Sequence, residues 1–346
     1  VGGVSESATS EPTTSEANEA TMTETTYKGA INRGIVDALA ADDDVFFFGE
    51  DVGAAGGAFK TSVGIQERFG ERRVLDTPIS EQAIVGLAIG AAMKGLRPVA
   101  EIMFADFLGV AFDQIANQLA KYRYMTGGQV TLPVTIHMAS GAGAGFGAQH
   151  SQAAENWLLN VPGLKVAVPG TPADAYGLMR TAVEDDDPVL FFGHKGLFNV
   201  KEDLPEAPAK VELGRAEVVR QGDDVTVVAT QLMRHRAAEA AEALAGKGVS
   251  VELIDPRTLV PFDFDTIAAG VDRTNRLVVV QEAPVGGSWG ATLIARLVAE
   301  RFEMLDAPPA LVAPPDTPVP YAGALENSWL PDAEGIAARI DRCLAY

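Results

Sequence analysis

The chain predicts an α/β fold: a mainly parallel, doubly wound sheet followed by a smaller α/β domain. Three observations carry that expectation. Short apolar runs such as Val45-Phe46-Phe47-Phe48 and Val189–Phe192 lack polar alternation, as strands covered on both faces do. Helical stretches separate them, as crossovers between parallel strands require. The 346 residues, 47% of them hydrophobic, suffice for roughly two cores.

The elements follow in order. Ala30–Ala40 reads as a helix and Val45–Phe48 as a buried strand ending at Gly49-Glu50-Asp51. A glycine-rich loop, a helix to Phe69 and a strand at Arg73–Leu75 come next. Asp76-Thr77-Pro78-Ile79-Ser80-Glu81 then opens a helix over Gln82–Lys94, with Ser80 as N-cap and Glu81 in the first turn. That helix is almost wholly apolar or small, so it is expected to be buried, and Glu81 with it at one end. Burial would raise the Glu81 pKa while the positive helix end lowers it, a tension suited to a carboxylate that shares a proton with a bound partner. Arg97–Ile102 is a strand and Phe107–Arg123 a long helix. Leu132–His137, Lys165–Val168 and Val189–Phe192 are strands, with a helix at Asp174–Val183. The polar, proline-bearing run Lys201–Lys210 suggests a linker over 201–212. Beyond it, strands at Val225–Ala229, Val249–Ile254 and Leu277–Gln281 alternate with helices at Arg236–Ala245 and Ser288–Phe302, giving a second domain over 213–346.

Charge and composition narrow the function. The net charge is −20, which disfavours nucleic acid and anionic membranes as partners. Residues 1–26 hold five glutamates and no base, and read as a disordered acidic tail without the features of a secretory signal. No apolar run reaches transmembrane length. Cys343 is the single cysteine, so no disulfide framework is expected, and a cytoplasmic location is the default.

Several features compete as the site. Glu50, Asp51, Glu81, Glu101 and Asp106 lie at or just past predicted strands, where open α/β sheets form their binding crevice. Glu101 sits among Val99, Ala100, Ile102 and Met103, an awkward place for an ordinary surface acid. The loop Ser140–Gly147 contains a literal G-x-G-x-x-A match, but the helix after it is short and no acid follows a second strand at the right distance. It reads better as a mobile glycine loop that positions His150, a general acid/base candidate. Met103 and Phe107 suit either a core or the face of a flat cofactor ring. His137, His194 and His235 have no metal-ligand spacing and read as structural. There is no GDG motif with a distal Asn of the kind that binds Mg²⁺ and diphosphate.

The stretches GEDVG, VLDTPISEQAIVGLAIGAAMKGLRPVAEIMFADF, DQIANQLAKYRYMTGGQ, GAQHSQ, VPGLKVAVPGTPADAYGL and VELIDPRTLVPFD resemble the beta subunit of the thiamine-diphosphate-dependent decarboxylase component of 2-oxo acid dehydrogenase complexes. The resemblance runs from about Tyr27 to the C-terminus. It implies a transketolase-like pyrimidine-binding domain over 27–200 and a transketolase-type C-terminal domain. It implies thiamine diphosphate shared with an alpha subunit that holds Mg²⁺, in an assembly of two alpha and two beta chains. A lipoyl acyltransferase component would accept the acyl group. Glu81 matches the glutamate that hydrogen-bonds the aminopyrimidine nitrogen, Glu50 a second acid beside it, and Ile79, Met103 and Phe107 positions that pack on the ring. His150 matches a histidine near the substrate and the incoming lipoyl group. Val134, Ala182, Val183, Asp185 and Asp187 match a potassium site of some members. Pyruvate, branched-chain 2-oxo acids and acetoin are all handled by similar subunits. Gly193 stands where similar sequences more usually carry an acid. A non-catalytic scaffold and, more distantly, a nicotinamide oxidoreductase are the competing classes.

Overall fold

Consecutive apolar residues send side chains alternately to the two faces of a strand, so a strand apolar throughout needs cover on both. Phe48, Ala100, Ile136, Leu190 and Phe192 enter one core, while Phe47, Val99, Val189 and Phe191 enter the other. The computed structural model describes residues 2 and 22–346.

Fourteen strands are described: β1 (Met22–Thr26), β2 (Val45–Gly49), β3 (Val74–Asp76), β4 (Arg97–Phe104), β5 (Thr135–Ser140), β6 (Lys165–Ala167), β7 (Val189–His194), β8 (Lys201–Pro205), β9 (Glu217–Arg220), β10 (Val225–Ala229), β11 (Val251–Asp255), β12 (Thr258–Val260), β13 (Leu277–Val280) and β14 (Ala310–Val312). Seven form one sheet in the order β12-β6-β7-β5-β4-β2-β3, parallel throughout except β12. Five form a second, β14-β13-β10-β11-β9, parallel except β9. The expected doubly wound sheet and smaller second sheet are both present.

On one face of the first sheet the helix Tyr27–Ala41 packs against Pro172–Glu184. Gly34 allows that close approach, since a Cβ there would lie 3.0 Å from Met179 Cβ. On the other face lie Ile84, Val85 and Ala88 of the helix Glu81–Ala92, then Leu108, Ala111 and Ile115. That core continues into Val228, Ile254, Ile267 and Leu293, so the two halves share it.

Three expectations need correction. Residues 22–26 are not tail but β1, and Lys201–Pro205 is not linker but β8; the two pair antiparallel from Met22↔Pro205 to Thr26↔Lys201. Both strands are polar, so no hydrophobic alternation announces them; backbone pairing and the Lys201–Glu24 ion pair at 2.7 Å hold them. The remainder of the expected tail, apart from residue 2, lies outside the described residues. The helix expected over Phe107–Arg123 is broken into a 3₁₀ turn (Ala105–Phe107), an α segment (Leu108–Asp113), a π segment (Gln114–Leu119) and a short α turn from Tyr122.

Candidate active site

Parallel strands point their carboxyl ends the same way, and the chain leaves each end through a loop that can carry chemistry. In register across the first sheet run Asp76, Gly49, Glu101, His137, Phe191 and Ala167. Just beyond that row stand Glu81, Glu50, Phe107, His150 and Lys195, each after a different strand. Gly49 lets β2 approach β4 closely: a Cβ there would sit 2.7 Å from the Glu101 carbonyl oxygen.

Glu81 is the first residue of its helix and Ser80 its N-cap, as expected, but the expected burial fails. Ser80 occupies the N-cap without a side-chain hydrogen bond, and Glu81 is half-buried, not buried. The helix turns only one stripe inward; Leu87 is 49% exposed, and Ile79 before it 73% exposed. Such a helix has an uncovered apolar face, which a single chain gives no reason for. Glu50 is also half-buried. Desolvation raises its carboxyl pKa, and the negative charges of Asp51 and then Glu81 add to the effect, which brings Glu50 and Glu81 into one electrostatic unit. Asp51 is exposed.

Glu101 is buried and paired: it accepts from Thr61 Oγ1 at 2.9 Å and contacts His137 Nδ1 at 3.0 Å. His137 Nε2 has no partner, and a Cβ at Gly193 would lie 3.2 Å from it, leaving little room for the acid common at that position.

Met103 and Phe107 are half-buried after β4. Phe107 meets His150 edge-on, ring centroids 5.4 Å apart, and Phe104 meets it at 4.6 Å. Phe146 and Phe59 extend this aromatic wall. The structure thus joins Phe107 to His150, and Glu50 to Glu81.

Behind the wall lies a polar nest that the sequence does not announce. Lys195 is buried, its Nζ has no hydrogen-bond partner, and it sits over the rings of Phe104 and Phe146 at 5.6 and 5.8 Å. Burial brings its pKa down to about 8, against the opposing pull of Asp106, Glu282, Glu326 and Glu155. Burial pushes Glu155 up to about 8. Burial also works to raise Glu282, but the His194 imidazole beside it and the Ala142 N–H outweigh that, and its pKa is lowered. His194 Nδ1 accepts the Gly196 N–H at 3.1 Å, so Nε2 carries the proton donated to Glu282 at 2.7 Å. Asp106 accepts both the backbone N–H and the side-chain amide of Gln152. A His-Lys pair at a strand end is the one local signal for this nest; Glu282 and Glu326 arrive from the distant half with none.

A cleft of about 730 Å³ opens not at Glu81 but beside the nest, lined by Gln152, Asn156, Trp157, Glu282, Pro318 and Trp329 among others. The five residues matched to a potassium site do gather near the amino ends of β5, β6 and β7. There Arg97 donates to the carbonyls of Val183 and Asp185, Val189 N–H to that of Val134, and Asp185 N–H to that of Ala182. Lys165 Nζ lies 2.7 Å from Asp185 and 3.4 Å from Asp187. Arg97 and Lys165 thus place positive charge among the residues matched to the potassium site.

The chain matches the family described as "Transketolase, pyrimidine binding domain" over residues 23–201 and "Transketolase, C-terminal domain" over 214–336. It is 45% identical over 321 residues to the acetoin:2,6-dichlorophenolindophenol oxidoreductase subunit beta of Cupriavidus necator, covering 90% of this chain and 95% of that one. It is 41% identical over 326 residues to the pyruvate dehydrogenase E1 component subunit beta of Staphylococcus epidermidis, covering 94% of this chain and all of that one. The chain belongs to the beta-subunit family of 2-oxo acid dehydrogenase first components. This beta-subunit family is thiamine-diphosphate dependent. Among solved structures, a split-gene transketolase described as an inactive beta4 tetramer aligns with a TM-score of 0.75 and 25% identity, over 93% of this chain and 98% of that one. Among the described residues, no helix is long and apolar enough to cross a membrane.

Proposed function

We propose that this chain is the beta subunit of a cytoplasmic 2-oxo acid dehydrogenase component, completed by an alpha subunit in a two-alpha, two-beta assembly. The observation that carries the reading is the half-buried Glu81 on a helix whose apolar side, with Leu87 and the preceding Ile79, is left uncovered. A carboxylate at the carboxyl end of the sheet, with Ile79 on the loop after β3, Met103 at the end of β4 and Phe107 just after it, fits an aminopyrimidine ring, which has apolar faces and a ring nitrogen to pair. In this reading the alpha subunit covers that face and holds Mg²⁺ and the diphosphate.

Thiamine diphosphate, when bound, supplies a carbon nucleophile and an electron sink for loss of CO₂. Glu81 holds a proton at the pyrimidine nitrogen. Glu50, whose pKa is raised by desolvation and by the charges of Asp51 and Glu81, stands as the second acid beside Glu81. Ile79, Met103 and Phe107 pack on the ring and exclude water. His150, fixed edge-on by Phe104 and Phe107, faces the 2-oxo acid and the lipoyl group of the acyltransferase component, and moves a proton there.

Pyruvate and branched-chain 2-oxo acids are the substrates of the first reading. Acetoin is the second, favoured by the 45% identity to an acetoin oxidoreductase subunit against 41% to a pyruvate dehydrogenase one.

The test is reconstitution with the alpha subunit, followed by substrate-dependent dye reduction. Glu81→Gln should assemble normally and lose about a hundredfold or more of the turnover. Wild-type rates in that variant would remove Glu81 from the chemistry. Assembly of the wild-type pair without any turnover would favour a scaffold.

A further inference from the structure

The glycine loop after β5 takes left-handed backbone at Gly141, Gly143, Gly145 and Gly147, a conformation open mainly to glycine. Such a loop, expected to be mobile, turns its N–H groups inward as an anion nest. Here the anion is part of the chain. Glu326, on the helix Gly323–Trp329, is 3% exposed and accepts from Gly143 N at 2.8 Å with one oxygen and from Gly145 N at 3.0 Å with the other. Glu282 takes the neighbouring Ala142 N–H. The nest lies against the His150 wall: Phe146 of the loop packs on Phe104 at 5.5 Å, Phe104 packs on His150, and His150 N–H reaches Gly147 O at 3.4 Å. Lys195 stands between the loop's ring and these acids, offsetting their charge.

We propose that Glu326 is a positioning residue: a carboxylate from the C-terminal half clamps the glycine loop and so sets the placement of His150, which it does not touch. This rests on the reading of His150 as part of the site. A clamp of two charge-assisted hydrogen bonds into a buried nest is worth more than either alone, and an amide in its place keeps one acceptor and brings a donor against a donor.

Two measurements test it. Hydrogen exchange of the peptide spanning 141–147 should quicken about tenfold in Glu326→Ala and by less in Glu326→Gln, while the helix Glu81–Ala92 keeps its wild-type rate. Unchanged exchange in the loop, or an equal rise everywhere, overturns the clamp; where the alanine variant fails to fold, the glutamine variant decides. In the assembled protein, Glu326→Gln should slow turnover in a His150-containing background and have little further effect beside His150→Ala. Additive losses overturn the link to His150. Absent wild-type turnover would count against the proposed function, and the exchange measurement would still judge the clamp.

Discussion

A carboxyl cut off from water keeps its proton more firmly, and Glu155 is such a group. It is buried, its Oε2 has no partner, and burial lifts it to about 8 from the ordinary 4.5. Below about pH 4.5 both folded and unfolded chains hold the proton, and the contribution to stability is complete. Between there and about pH 8 the unfolded chain releases it first, so stability falls as pH rises. Glu155→Gln has no proton to lose at this position, so it should gain on the wild type from pH 5 to pH 8, by on the order of a few kcal/mol. Urea unfolding at both pH values reads this; parallel trends would mean that Glu155 is ionised in the fold. Single residues differ in how far the sequence exposes them. Glu81 was legible because a turn, a cap position and an acid precede an apolar run. Its half-burial is not legible, because apolar character alone does not say which chain does the covering. Lys195 and Glu326 were not legible as partners, since 131 residues separate them and only the fold sets them together.

The helix Glu81–Ala92 argues at the next scale. Ile84, Val85, Ala88 and Ile89 face the sheet, and Leu87 faces out. Leu87→Asp should leave the melting curve of the isolated chain nearly unchanged, because an exposed substitution alters little. It should abolish assembly with the alpha subunit, because an unpaired charge would be buried there. Size-exclusion chromatography of the mixture checks this, and a normal complex would mean that the face serves no partner. Elements with a strong apolar pattern were read nearly to their ends, as with Val225–Ala229. The polar ribbon of β1 and β8 leaves no apolar pattern, because its stabilisation is in the backbone. The π segment at Gln114–Leu119 is not legible, because helical residues look alike in either winding.

In the whole molecule, Arg234 ties the halves together. It reaches Asp174 at 3.5 Å in the first half, and Glu217 at 3.1 Å and Asp255 at 3.6 Å in the second. Asp255 has no exposure, and burial lifts its pKa to about 8 in spite of Arg234. Removing the guanidinium takes one positive partner from Asp174 and Glu217, while Asp174 keeps Arg257, so Arg234→Ala should cost on the order of 1–3 kcal/mol at neutral pH. Thermal unfolding should show one transition at a lower temperature; an unchanged midpoint would show that water replaces the arginine. The two sheets were legible from strand runs, but their sharing of a core was not, because local pattern carries no information on which layers meet.

The antiparallel strand β12 comes from the second half yet closes the first sheet beyond β6. Severing the polypeptide near residue 210 would therefore strip a neighbour from β6 and bare a row of amide and carbonyl groups, an invitation to adhesion between molecules.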